Sequence, residues 1–221
     1  MKGDKISVQQ EHVRAARQIM KLLLLQINKT KGIFVVAIAG ESGSGKSEIA
    51  EALSKSLSEN SIKSIILQQD DYFVYPPKTN DEMRRKDIGH VGLSEVRLTV
   101  LDQNLRDAIE GKSEFVKPLV IFDDNLITSE TIKLEEIEVV IVEGTYTTIL
   151  KNVHQRVFID RTCFDTKESR KRRGREEQDE FLETILGIEH EIISTHKAKA
   201  DIIVTRDYQV KKEKNDAETK R

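Results

Sequence analysis

The chain has 221 residues, with 36 Lys and Arg against 38 Asp and Glu, for a formal net charge of −2. Balance of this kind excludes the basic excess of a dedicated duplex-DNA or RNA binder, and one cysteine, Cys163, excludes an internal disulfide or a cysteine-built metal cage. Met1 is not followed by a signal-peptide apolar core and the longest apolar run, residues 33–39, is far short of a membrane span, so the expectation is one cytoplasmic domain in a reducing compartment.

In chain order, Val13, Ala16, Met20, Leu23, Leu24 and Ile27 share one face of a helix over residues 8–29, which packs on the domain or seams a dimer. Residues 33–39 are continuously apolar and read as a strand buried on both faces. Ile49, Leu53 and Leu57 mark a helix over 46–59, and residues 65–67 a short strand. Residues 93–109 read as one helix carrying Val96, Val100, Leu101, Leu105 and Ile109. Residues 119–122 and 131–134 pair across the turn Asp123-Asp124-Asn125. Strands follow at 139–142 and 156–159, then a long helix over 176–198, and residues 202–204 close the sheet. The polar stretch 211–221 is expected to fray. Strands alternating with helices imply an α/β three-layer sandwich: a mostly parallel sheet, helices on both faces, ligands at the carboxyl ends of the strands.

Three strand ends carry chemistry. The first runs into Gly40-Glu41-Ser42-Gly43-Ser44-Gly45-Lys46-Ser47, which matches G-x-x-x-x-G-K-[ST] in the required setting between a buried strand and a helix. The glycines let successive backbone N–H groups point at phosphate oxygens, aided by the positive end of the following helix. Lys46 reaches the β- and γ-phosphates of a nucleoside triphosphate, and the Ser47 hydroxyl ligates Mg²⁺.

The strand at 65–67 ends in Gln68-Gln69-Asp70-Asp71-Tyr72-Phe73, and that at 139–142 in Glu143-Gly144. Asp70 is aimed by the strand end into the crevice, where a carboxylate accepts the proton of an attacking hydroxyl; Asp71 leaves toward the loop or the metal's outer shell. A solvated turn is the plain alternative for both. Glu143 suits Mg²⁺ or its water shell, against a plain helix-start acid. The run Arg170-Lys171-Arg172-Arg173-Gly174-Arg175 reads as a mobile lid whose guanidinium groups stabilise the transferring phosphoryl charge, the alternatives being a solvated basic face or a nucleic-acid patch. Tyr72 and His90 are the candidate acceptor contacts, His90 being otherwise a loop histidine. Cys163, His190 and His196 read as structural or surface residues.

These segments, with Ala200-Asp201-Ile202-Ile203-Val204 after them, resemble in order the uridine kinase and phosphoribulokinase family of P-loop kinases, over about residues 33–206. The resemblance implies ATP and Mg²⁺, Asp70 as general base, Glu143-Gly144 as the family's Glu-Gly, and Arg173-Gly174-Arg175 as its lid motif. It also implies a division into an N-terminal helix (1–32), a kinase domain (33–206, lid about 165–180) and a polar tail (207–221). The family's Asn-Phe-Asp-His-Pro acceptor segment is absent; residues 78–92 are charge-rich instead. The expected activity is γ-phosphoryl transfer from ATP to a small-molecule hydroxyl, with a nucleoside leading a sugar phosphate or a pantothenate-like alcohol. A nucleotide-hydrolysing switch is the alternative of another class. Neither nucleic acid nor membrane is an expected partner, and homo-oligomerisation is left open.

Overall fold

Strand β1 (Phe34–Gly40) is buried at every position. Its side chains alternate between two cores: Phe34, Val36 and Ile38 join one cluster, Val35, Ala37 and Ala39 the other. Burial on both faces is why the run shows no polar alternation. The computed structural model describes residues 1–2, 6–173 and 179–213, with backbone alone at 172 and 173.

Around β1 lie β5 (Val139–Glu143) and β6 (Gln155–Ile159), both parallel to it. Beyond them come β2 (Ser64–Gln68), parallel to β5, and β7 (Ile202–Val204), parallel to β6. An antiparallel edge strand, β8 (Val210–Lys212), completes the order β2-β5-β1-β6-β7-β8. Helices α1 (Gln10–Lys29) and α2 (Lys46–Ser58) cover one face, through Ile19, Leu23, Leu53 and Leu57. Helix α4 (Leu98–Ile109) and helix α6 (Glu180–Ser194) cover the other, through Leu101, Leu105 and Ile193. The layers are those of a three-layer α/β sandwich. The apolar face of α1 is spent within the chain, on α2 and the sheet.

Four expectations need correction. Residues 93–109 are not one helix: Leu93–Glu95 is a 3-10 turn and α4 starts at Leu98. The backbone between them bonds sideways, Val74 N–H to Glu95 C=O (2.7 Å) and Arg97 N–H to Tyr72 C=O (2.8 Å), so its polar groups are satisfied without a helix. Val96 is therefore buried outside the helix, and Val100 is exposed. The hairpin of β3 (Glu114–Ile121) and β4 (Leu126–Lys133) has the foreseen turn but another register, Ile121 opposite Leu126 and Val116 opposite Thr131. Asn125, at φ +50°, reverses the chain so tightly that pairing begins directly beside the turn. Of the helix expected over 176–198, residues 176–178 lie outside the described residues; α6 is capped by Asp179, whose side chain accepts Leu182 N–H at 2.8 Å, and ends at Ser194 rather than at 198. Lys211 and Lys212 lie in β8 rather than in a frayed tail.

Two elements had no sequence forecast. Helix α3 (Pro77–Lys86) begins with proline at its first position, where no N–H is needed. Helix α5 (Lys167–Arg173) takes up the start of the arginine run.

Candidate active site

Parallel register sets the site. Gln68 of β2 and Ile38 of β1 both oppose Glu143 of β5, so β2 and β5 end together and β1 two residues further on, which releases Asp70, Glu143 and the glycine-rich loop along one edge. Within the loop, Gly43 and Gly45 hold φ of +74° and +101°, which favours glycine. Space demands it as well: a Cβ would stand 2.9 Å from Arg170 Cγ at Gly43 and 2.8 Å from Tyr208 Oη at Gly45.

The loop is gripped from several elements. Tyr208 Oη donates to Ser44 C=O (3.0 Å), Thr166 Oγ1 to Ser42 C=O (2.8 Å), and Lys46 Nζ to Glu41 C=O (2.9 Å). Arg161 lies over the Tyr208 ring. The buried Glu41 carboxylate accepts Cys163 N–H at 2.5 Å and meets His190 Nδ1 of α6 at 2.7 Å. Burial, with the charge of Glu41, pushes the Cys163 thiol up to about 11.

Arg170 of α5 is buried against the loop. One nitrogen donates to Cys163 C=O (2.6 Å) and Thr166 Oγ1 (2.7 Å), while Nε and Nη2 have no partner among the described residues. Orphaned guanidinium donors beside a glycine-rich loop fit an anionic ligand, since buried donors are otherwise nearly always satisfied. Arg175 and the side chain of Arg173 fall outside the described residues.

Where the loop meets β5, Ser47 Oγ donates to Glu143 Oε1 at 3.0 Å. A hydroxyl and a carboxylate at hydrogen-bond distance are a donor set suited to Mg²⁺ and its waters. Gly144 explains the Glu-Gly pair: a Cβ there would come within 2.2 Å of Gln69 Cβ. Gln69 in turn holds Tyr146 N–H at 2.7 Å. Gly144→Ala should therefore destabilise the fold by about 2–4 kcal/mol, because a rooted Cβ yields only if backbone moves. Denaturant unfolding checks this; a loss under 0.5 kcal/mol would show that the strand end gives way easily.

After β2 the chain enters a 3-10 turn, Gln69–Tyr72. At three residues per turn, i and i+3 share a side. Asp70 and Phe73 accordingly line the cavity, whereas Gln69 and Tyr72 are buried. Tyr72 is thus withdrawn as an acceptor contact: fully buried, its hydroxyl donates to Asn104 Oδ1 (2.9 Å), and desolvation raises its pKa. Asp71 is structural too. It forms a buried pair with Lys117 Nζ (2.6 Å) and accepts Val120 N–H (3.0 Å), which fastens the hairpin to the sheet edge. His90 is not part of the cavity lining; its Nε2 lies 3.1 Å from Oδ1 of Asn80, which is.

The cavity has a volume of 460 Å³, within the usual range for small-molecule sites. Ser42, Lys46, Ser47 and Glu143 form one end. Helices α3 and α6 wall the other, with Phe73, Tyr75, Phe122 and Phe181 among its aromatic faces. Sequence reasoning missed the α3 wall, while α6 falls within the helix expected over 176–198: in α3 only Asn80 is buried, so no apolar period announces it.

Residues 35–211 match the sequence model of the phosphoribulokinase/uridine kinase family. The chain belongs to that family. Relatives include a uridine kinase of Ligilactobacillus salivarius, 28% identical over 192 residues that cover 80% of this chain and 87% of the relative. A bifunctional alpha-galactosidase/sucrose kinase of Mediterraneibacter gnavus is 29% identical over 187 residues, 78% of this chain but only 20% of that longer protein. The structure described as a possible uridine kinase from Bacillus stearothermophilus superposes with a TM-score of 0.62 at 19% identity, covering 86% of this chain and 97% of that one. The family member described here is thus a kinase that phosphorylates a hydroxyl group. Among its described residues no helix is long and apolar enough to cross a membrane.

Proposed function

We propose that the chain transfers the γ-phosphoryl group of ATP to a hydroxyl of a small acceptor held between α3 and α6, with a nucleoside as first candidate. The observation that carries this reading is the single cavity that Lys46, Ser47, Asp70 and Glu143 share with a second, aromatic-walled end. A hydrolytic switch has no use for that second end.

In this reading backbone N–H groups of residues 40–47 and Lys46 hold the triphosphate, and Ser47 and Glu143 hold the Mg²⁺ site. Mg²⁺, when bound there, would supply positive charge that offsets the charge of the triphosphate. Asp70 orients the acceptor hydroxyl toward the γ-phosphorus. As the new oxygen–phosphorus bond forms, the bond to the β,γ-bridging oxygen breaks, ADP departs with that oxygen, and the hydroxyl proton passes to the Asp70 carboxylate. Arg170, Arg173 and Arg175 balance charge on the phosphoryl oxygens. Alanine at Arg173 or Arg175 should lower the transfer rate far more than ATP affinity; loss of affinity alone would make the run a solvated face. Glu143→Gln should move the Mg²⁺ dependence of the rate to higher concentration, and an unchanged Mg²⁺ titration would assign Glu143 to structure.

A second reading, a sugar acceptor, is favoured by residues 77–92. There α3 stands in place of the uridine kinase acceptor motif, and a sucrose kinase is among the relatives. ATP consumption against nucleosides, sugars, sugar phosphates and vitamins, with hydrolysis in buffer as control, tests both. Hydrolysis indifferent to every acceptor would overturn the kinase assignment.

A further inference from the structure

Glu41, Cys163 and His190 come from three separate places, the phosphate loop, the stretch after β6 and α6, and they meet beside that loop. One ligand atom of each (a carboxylate oxygen, Sγ and a ring nitrogen) lies within 4.8 Å of the other two. Glu41 Oε2 accepts Cys163 N–H, which orients the carboxylate, and Oε1 faces His190 Nδ1 at 2.7 Å. Two ligands of one tetrahedral ion stand about 3.5 Å apart, so side-chain movements of about 1 Å would seat it. None of the three side chains has a task in the phosphoryl transfer derived above.

The surroundings suit an ion that takes sulfur and nitrogen. Glu41 and Cys163 are buried, and Leu182 and Leu186 of α6 pack on the thiol. An apolar shell of this kind strengthens the attraction between a cation and its ligands. Leu186 and His190, four residues apart, share one face of α6. The His190 side chain is 29% exposed, which leaves a way in from solvent. Burial and the Glu41 charge keep the thiol protonated, with Arg170 opposing them. An entering ion must therefore displace that proton to solvent, which a metal bound directly to sulfur does. Thiolate and imidazole together select Zn²⁺-class ions, whereas Mg²⁺ keeps to oxygen.

We propose that Glu41, Cys163 and His190 bind one Zn²⁺-class divalent cation, with water in the fourth position, and that the ion clamps α6 to the phosphate loop. The site shares no ligand with the Ser47 and Glu143 pair assigned to Mg²⁺, and it does not rest on the kinase reading. Coordinate bonds replace the Glu41–His190 hydrogen bond, while Oε2 keeps its Cys163 N–H. Because α6 also walls the far end of the cavity, the ion fixes the spacing between that wall and the loop.

Cys163 is the one cysteine of the chain, so a thiolate-to-Co²⁺ charge-transfer band reports this site alone. The chain, kept reduced with a phosphine rather than a competing thiol, is titrated with Co²⁺ in excess Mg²⁺. The band should saturate at one ion per chain and vanish when Zn²⁺, the tighter binder, is added. Half-saturation should fall about tenfold per pH unit above neutrality, since each ion displaces one thiol proton. His190→Ala, at a helix position where alanine is favourable, should raise half-saturation about a hundredfold. Zn²⁺ should raise the melting temperature of the parent and slow amide exchange across α6, and do neither in Cys163→Ser.

No band in a large excess of Co²⁺, an undiminished band in His190→Ala, or half-saturation indifferent to pH overturns the site. Zn²⁺ uptake without the Co²⁺ band places the ion elsewhere on the surface and overturns it as well. A band with unchanged exchange in α6 overturns the clamp. These readouts need no phosphoryl transfer, so a failed kinase assay leaves them standing.

Discussion

Asp70→Asn should slow single-turnover phosphoryl transfer by about a hundred- to ten-thousand-fold, with ATP affinity nearly unchanged. Asparagine keeps size and shape and removes only the proton acceptor. Asp71→Asn, one residue on, should do the reverse. Its carboxylate neutralises buried Lys117 and receives Val120 N–H. Removing that charge leaves the buried ammonium with only the partly exposed Glu130, at 3.4 Å, as a counter-charge, at a cost of about 3 kcal/mol, the low end for a broken buried pair. Asp71→Asn should thus unfold at much lower denaturant while its folded fraction transfers phosphate at near the parental rate. A crippled rate in a stable Asp71→Asn, beside a normal Asp70→Asn, would reverse the assignment.

Why these neighbours differ shows how far a sequence can be read. Strand alternation groups Asp70 with Tyr72, and the 3-10 turn groups Asp70 with Phe73. Nothing local in Gln68-Gln69-Asp70-Asp71 announces that change of period, so Tyr72 looked like a cavity residue when its hydroxyl is tied to Asn104. β1 and the glycine-rich turn into α2 were legible because both signals are local: an unbroken apolar run and glycines at fixed spacing. The α3 wall was not. Its order comes from Arg84 and Arg85 meeting Glu95, Glu189 and Asp179, partners up to 105 residues away. Likewise the hairpin's turn residues were visible, but its register depends on the conformation of Asn125, which composition does not fix.

The grip on the phosphate loop was equally hidden. Tyr208 precedes β8, in a stretch read as tail, yet its hydroxyl holds Ser44 C=O and its ring packs on His12 of α1. Both outlying segments thus buttress the loop, and α1 carries His12, whose pKa is lowered by burial. Glycine at position 45 is what lets Tyr208 come so close.

Lys46→Ala should reduce transfer on the order of a thousandfold or more, the loss expected when a fixed donor to developing phosphate charge is removed. The fold should survive. Lys46 opens α2, and its bond to Glu41 C=O at 2.9 Å is lost with the side chain, while the loop keeps its ties through Tyr208, Thr166 and the Glu41 side chain. The melting temperature without nucleotide should therefore move by only a few degrees, about what 1 kcal/mol produces in a chain of this size. Stabilisation by Mg²⁺-ATP should shrink, because that gain reports affinity for the native state. Lys46→Arg separates charge from geometry. A planar guanidinium keeps the cation but not the compact ammonium that fits beside phosphate oxygens at the start of α2, so part of the thermal stabilisation should return without the transfer rate. Full rate in Lys46→Arg would show that any cation suffices there. Full rate in Lys46→Ala would remove the phosphate loop from the reaction.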